Sequence, residues 1–383
     1  MKKRLRYGLV GAGLTSFIGS VHRISASFDG LTDLAAGCFS RDSTKNRECG
    51  DFLRLDPDRV YDSFEEMAQK ESLREDGIDF VTIAAPNDVH YAAAKAFLMH
   101  GIHILCEKPL CYTVEEAEEL KALAAEHHCL FCVNYSYSGN AMVKEARELV
   151  RQGALGEIID VKAEYLQEYL ADDIGQTSKT MNAMSAWRKD PSVAGVSNCV
   201  GDIGSHIENT VACITGLRIK RLAAKLDYFG QPLDLNANIL IELENGAHGV
   251  FSSSQVCIGH RNGFVVRIFG TEGSLEWHEE NPGQLIVAKK GQPLQIYDKG
   301  MTYISPVAAG MVRIPAGHPE GYYEAFANMY KTWVNAVLKY ENGEELTAQD
   351  LDFPDIDEGI RGIRFIHACV KSSREDAAWV DVI

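Results

Sequence analysis

Apolar and polar positions alternate along the first third of the chain in two rhythms. Short apolar runs at residues 5–10 (LRYGLV), 33–39 (DLAAGCF), 78–85 (IDFVTIAA), 102–107 (IHILCE) and 129–135 (CLFCVNY) predict strands. Between them, residues 17–28, 43–53, 88–100 and 114–127 carry the wider spacing of helices. Ser63 with Glu66 and Thr113 with Glu116 have the spacing of capping boxes, which marks two helix starts. Strands alternating with crossover helices build a parallel, doubly wound sheet.

Beyond residue 140 the rhythm changes. A helix near 140–152 is followed by a strand-like segment at 157–170, a loop-rich stretch to 200 and a helix over 202–215. Five strand candidates then run almost in succession: KRLAAKLDY, ANILIEL, AHGVFSSSQV, FVVRIFG and GSLEWH. Strands without intervening helices pair antiparallel. Helices near 319–341 and 356–373 close the chain. The expected fold is α/β: a doubly wound Rossmann domain at 1–135, then an α+β domain at 136–383 with a large, mostly antiparallel open sheet.

Composition narrows the function. The chain has 383 residues, 46% hydrophobic and 24% charged, as expected for a globular protein of two domains. With 38 Lys and Arg against 54 Asp and Glu the formal charge is −16, a field that repels nucleic acid and anionic membrane surfaces. Ten cysteines lie scattered in apolar segments, the pattern of free buried thiols, and the lone Cys129/Cys132 pair has no partner cluster at zinc spacing, so no metal is expected. The opening MKKRLRYGLVGAGLTSFIG has the outline of a signal peptide, yet its four glycines between residues 8 and 19 suit a strand, turn and helix. No stretch reaches the roughly 18 apolar residues of a membrane span. A cytoplasmic protein is the expectation.

Candidate chemistry begins at the first turn. Gly11 and Gly13, followed by Leu14, Thr15 and Ser16, supply two of the three glycines of a dinucleotide fingerprint between a strand and a helix. Gly11 permits the turn and Gly13 lets backbone amides approach a pyrophosphate at the helix N-terminus. Ser16 replaces the third glycine. The acidic residue that grips an adenosine ribose is missing where the second strand ends in Phe39, Ser40, Arg41 and Asp42. Ser40 and Arg41 can meet a 2′-phosphate, or Arg41 can pair with Asp42 or lie over the adenine, so NAD and NADP stand level as cofactor.

Two further constellations follow. The strand 102–107 ends in Glu107, Lys108 and Pro109, an ammonium at the sheet edge where ligands of doubly wound folds lie. Asp202 and His206 stand four residues apart, one above the other on a helical face. Together with GAGLTSFIGSVH (11–22), APNDVH (85–90), WRKDPSVAG (187–195) and FGTEGSLEW (269–277), these motifs resemble the Gfo/Idh/MocA family of glucose-fructose oxidoreductases and inositol dehydrogenases, over nearly the whole chain.

The resemblance implies a nicotinamide enzyme acting on a cyclitol, sugar or glycoside, assembled as a homodimer or homotetramer through its open sheet. It maps the family's catalytic residues to Lys108, Asp202 and His206. The cofactor contacts fall on Gly11, Gly13, Leu14, Thr15, Ser16, Ser40, Arg41, Ala85, Pro86, Asn87, His90, Glu107, Lys108, Trp187 and Arg188. Asn134, Gln167 and His318, beside the catalytic three, are expected at the substrate. The segment GHPEGYYEAFANMY (317–330) looks like a branch that oxidises cyclitols or pyranosides.

The residue types suit the reaction. Oxidising a secondary alcohol removes the hydroxyl proton as hydride leaves carbon, which needs a base within about 3 Å of the oxygen. A histidine titrates near operating pH, and a lysine beside a cationic nicotinamide is a competing base or a donor to the developing alkoxide. Two other readings remain: NAD-dependent glycoside cleavage by transient oxidation and elimination, and a sugar- or dinucleotide-sensing regulator without catalysis.

Overall fold

The computed structural model describes residues 4–174 and 190–382. They form two compact units, one made of the chain up to Ser136 with Phe326–Ile363, the other of Tyr137–Ala325 with Arg364–Ile383. This differs from a single cut at residues 135 and 136, because the chain returns to the first unit near its end.

In the first unit β1 (Leu5–Gly11), α1 (Phe17–Ser27), β2 (Thr32–Cys38), α2 (Ser43–Leu53), α3 (Phe64–Ser72), β3 (Phe80–Ala84), α4 (Asn87–Leu98), β4 (His103–Cys106), α5 (Val114–Glu126) and β5 (Phe131–Val133) follow in chain order. The sheet is parallel, in the order β2-β1-β3-β4-β5. Strand order reverses between β1 and β3, where Gly11 pairs with Ala84, and a crevice at such a switch point is where doubly wound sheets bind ligands. Thr113 and Glu116 form the expected capping box of α5, and Ser63 caps α3 by accepting from the Glu66 amide.

The second unit runs from α6 (Ala141–Arg151) and β6 (Ile158–Leu166) through a single-turn α7 (Pro191–Ala194) to α8 (Ser205–Thr215). Next come β7 (Ile219–Asp227), β8 (Asn236–Leu243), β9 (His248–Ser254), β10 (Gly263–Gly270), β11 (Gly273–His278), β12 (Gln284–Lys289) and β13 (Gln295–Asp298), with β14 (Val380–Asp381) at the end of the chain. The nine strands lie in the order β13-β12-β11-β10-β6-β9-β8-β7-β14, antiparallel except for the parallel pair β6 and β9. Of the strands added here, β13 and β14 are short and carry too weak an alternation to be read from sequence, whereas β12 is a six-residue run, QLIVAK, that buries Leu285 and Val287.

Before the last strand come the one-turn α9 (Pro306–Ala309), the 20-residue α10 (Tyr322–Glu341) and α11 (Ile356–Arg374). From Phe326 onward α10 belongs to the first unit, and its buried Met329, Tyr330, Trp333, Val334 and Val337 join Leu5, Tyr7, Leu9, Phe80 and Leu105 of the parallel sheet in one core. The spacing of Tyr330, Trp333 and Val337 puts these side chains on one helical stripe, and burying them is what draws this segment onto the sheet.

The helix expected over 202–215 has a different start. Residues Val200–Gly204 form a π turn, and the α-helix begins only at Ser205. Asp202 therefore lies on a wider turn than the regular face on which it was expected with His206. The cause is upstream: the buried Asp234 carboxylate accepts hydrogen bonds from the Asn198 and Val200 amides, both at 2.9 Å, and fixes the entry of the segment.

Candidate active site

Gly11 takes a φ of +75°, and a β-carbon there would come within 2.6 Å of Ala85 Cα, so only glycine fits the turn. A β-carbon on Gly13 would meet only the Phe39 carbonyl, at 3.4 Å, and Leu14, Thr15 and Phe17 beside it are exposed. Backbone here is open for a pyrophosphate at the start of α1, as the fingerprint requires. Ser16 does a different job from the missing glycine: its hydroxyl accepts from the Gly19 amide at 3.1 Å and caps α1. Close packing of helix on turn falls to Gly19 instead, a residue the sequence motif did not mark.

At the end of β2 the Ser40 hydroxyl accepts from the Asp42 amide, and Asp42 caps α2 through the Thr44 and Lys45 amides. Arg41 pairs with Asp88 at 2.5 Å rather than with Asp42. At the end of β3, Pro86 is the N-cap of α4 and Asn87 its first residue. His90 is buried with Nδ1 2.8 Å from the Pro109 carbonyl and Nε2 2.9 Å from that of Ala85. It ties two loops of the sheet edge together, while burial pushes its pKa below the usual value.

Glu107 turns its carboxylate into the domain. Oε1 accepts from Asn134 Nδ2 at 2.6 Å and from His22 Nε2 at 3.0 Å, and Oε2 accepts from the Lys108 amide at 3.1 Å. Burial alone raises such a carboxyl, yet the His22 hydrogen bond and charge, with Lys108 and Asn134, outweigh it and hold Glu107 at about 2. Lys108 itself is half-buried at the edge, next to Pro109.

In the second unit, Asp202 Oδ2 accepts from Gln255 Nε2 at 3.0 Å, which also donates to the Tyr169 hydroxyl at 2.9 Å. Gln255 is held in turn by Asn198 Nδ2 at 2.7 Å. His206, in the first turn of α8, is largely buried and lies edge-on to the Tyr137 ring at 4.8 Å between centroids. Tyr165 donates to Asn262 Oδ1 at 2.7 Å, so the 2.6 Å contact between the two tyrosine hydroxyls is a bond from Tyr137 to Tyr165. Gln167 also donates to Asn262 Oδ1, at 3.0 Å, and Asn262 donates to Glu279 at 2.6 Å. His318 is exposed, with Nδ1 3.2 Å from the Pro315 carbonyl. Trp187 and Arg188 lie outside the described residues.

Sequence reasoning missed His22, Gln255, Asn198, Asp234, Tyr137 and Asn262. Each acts through a contact far along the chain, so spacing carried no signal, although His22 closes the GAGLTSFIGSVH motif. Among the described residues no cluster of His, Cys, Asp or Glu is built to hold a metal, all ten cysteines are free thiols, and no helix is long and apolar enough to cross a membrane.

Profile comparison matches residues 5–135 to the oxidoreductase family with an NAD-binding Rossmann fold and residues 143–276 to the Gfo/Idh/MocA C-terminal domain. The chain belongs to the Gfo/Idh/MocA family. This Gfo/Idh/MocA protein is an NAD-dependent oxidoreductase whose first unit carries the NAD-binding domain. It is 36% identical over 386 residues to YfiI, an oxidoreductase of Bacillus subtilis strain 168, covering 100% of this chain and 98% of the relative. An inositol dehydrogenase homologue of Azotobacter vinelandii crystallised with NAD+ superposes with a TM-score of 0.94 at 37% identity, covering 100% of this chain and 98% of that one. The same homologue with NADH and myo-inositol gives 0.91 at 36% identity, with the same coverage. Levoglucosan dehydrogenase of Pseudarthrobacter phenanthrenivorans is 29% identical over 236 residues, 55% of this chain and 58% of the relative.

Proposed function

We propose that the protein is an NAD-dependent dehydrogenase that oxidises a secondary ring hydroxyl of a cyclitol, with myo-inositol as the first compound to test. The reading rests above all on its full-length similarity to the Azotobacter vinelandii inositol dehydrogenase homologue, which was crystallised with NADH and myo-inositol. The open backbone at Gly13 and the first turn of α1 suit a dinucleotide pyrophosphate, and the residues at the ends of β2 and β3 flank that turn in the same sheet. Bound NAD+ supplies the hydride acceptor. His206 accepts the hydroxyl proton, Lys108 donates a hydrogen bond to the oxygen as negative charge develops there, and Asp202 orients the ring through neighbouring hydroxyls. Arg41, already neutralised by Asp88, favours NAD over a cofactor with a 2′-phosphate.

The test is a polyol, free-sugar and glycoside panel with NAD and NADP, followed by nicotinamide absorbance. Reduction of NAD by myo-inositol or a related cyclitol is expected. Release of an aglycone from a glycoside without net NADH would replace this reading with oxidative elimination. Cofactor binding with no turnover on any member would favour a sensor.

A further inference from the structure

We propose that the buried pair of His22 and Glu107 is a positioning device for Lys108, tying the catalytic lysine to the helix whose first turn faces the cofactor. The inference rests on the reading of Lys108 given above. The side chains of His22 and Glu107 are 0% and 10% exposed. A buried carboxylate held by hydrogen bonds is a poor way to stabilise a fold, because its desolvation cancels much of what its partners return and apolar residues of similar volume do as well or better. Its placement indicates another use. Glu107 stands at the carboxyl end of β4, on the sheet edge where ligands of this architecture lie, immediately before Lys108.

Three donors converge on the carboxylate: the His22 ring, the Asn134 amide and the backbone N–H of Lys108. The last of these fixes the root of the lysine side chain. His22 cannot swing away, since Nδ1 is 2.8 Å from the Tyr330 hydroxyl, which is itself 3.0 Å from Thr82 Oγ1. The ring also lies edge-on to Phe326 and Tyr330, at 5.3 and 5.8 Å between centroids. An ionised carboxylate only accepts, so His22 Nε2 carries the proton of that bond. The low pKa of Glu107 fits a carboxylate kept charged for this purpose. α1, β3, the Glu107–Lys108 edge, Asn134 beyond β5, and α10 are thus joined at one point, and displacement of α1 by an ill-fitting dinucleotide would be felt at Lys108.

Removing His22 alone strands a buried charge and endangers folding, so the decisive variant replaces both partners by apolar residues, His22→Leu with Glu107→Met, beside the conservative His22→Gln and the reference Lys108→Ala. Full-length proteins are compared by NADH binding, by amide hydrogen exchange of peptides covering residues 104–112, and by turnover of myo-inositol normalised to NADH-binding sites. The double variant is expected to fold and bind NADH, to lose exchange protection at Lys108 while β1 and β3 keep theirs, and to lose up to about a hundred-fold in kcat, as a misplaced group does. Its deuterium isotope effect on kcat should rise, a change that a mere loss of folded protein would not produce. His22→Gln, which keeps a donor to Glu107, should retain protection and most of the turnover. Unchanged protection in the double variant, or wild-type kcat per binding site with Lys108→Ala inactive, overturns the proposal alone. Full turnover by Lys108→Ala overturns instead the catalytic reading on which it stands, and the proposal with it.

Discussion

Gly19 lies so close to Ala12 that a β-carbon on it would stand 2.6 Å from the Ala12 carbonyl oxygen and 2.7 Å from its Cα and Cβ. Ala12 has a φ of 57°, its amide donates to the Ala84 carbonyl and its own carbonyl accepts from Arg23 at 2.7 Å. The turn is thus clamped from three sides and cannot yield. Gly19→Ala is expected to cost about 1–3 kcal/mol through overpacking. Gly13→Val, whose β-carbon meets only the Phe39 carbonyl at van der Waals distance, should leave the unfolding midpoint nearly unchanged and abolish NADH binding. Denaturant melts and NADH fluorescence titration separate the two effects; equal loss of stability in both variants would contradict the assignment.

Arg41 and Asp88 set the second expectation. The Arg41 side chain is 80% exposed, so the pair contributes about 0–1 kcal/mol to stability and its breakage should barely move the melting temperature. Asp88→Asn frees the guanidinium, and the ratio of kcat/KM for NADP over NAD should rise. Arg41→Ala should leave that ratio low. A ratio that is indifferent to Asp88→Asn would remove Arg41 from cofactor selection.

Acid sensitivity should trace in part to His103. Burial pushes its pKa down to about 4, and Nδ1 accepts from the Leu130 amide at 3.0 Å, which requires a neutral ring at that nitrogen. The unfolded chain takes up this proton near 6.5 and the folded one only near 4. The unfolded state therefore binds more protons in that window, and the contribution, whole above 6.5, falls by about 3 kcal/mol as pH drops to 4. His103→Gln, with an amide oxygen to accept the same bond, should flatten urea stability between pH 7 and pH 4. A slope equal to that of the wild type would place the proton uptake elsewhere.

Loss of a positioned proton-transfer group typically costs about a hundred- to ten-thousand-fold in rate. Lys108→Ala and His206→Ala are each expected to lower kcat on the true substrate by that order, with NADH affinity little changed. If both serve one proton transfer, the double variant will be far less than multiplicatively worse. Multiplicative losses would keep both residues important and deny that they act as a unit.

Most of the fold was legible because its signals are local. Capping boxes, β-branched runs and the glycine turn act within a few residues, and the five parallel strands fall close to their apolar runs. What remained hidden depends on distant partners. Nothing in the spacing of residues 326–337 says that this stripe covers the parallel sheet rather than the domain before it, and only the packed core decides that. The site divides in the same way: Lys108 and His206 stand in recognisable motifs, whereas Gln255 and Asn198 become meaningful only through their bonds to Asp202 and to each other. Asn134 and Glu107, expected at the ligands, spend their facing atoms on one another because the buried carboxylate needs donors.

The π turn at Val200–Gly204 acts as a phase shifter in the chain. A π turn holds one residue more than the α-helical turn it replaces, and such insertions gather at functional sites. Deleting a single residue there would let α8 run back as regular helix, and each position upstream would then be rotated by about 100°. Asp202 would leave Gln255 while His206 kept its place against Tyr137, so one of the two side chains would change its surroundings although neither had been mutated.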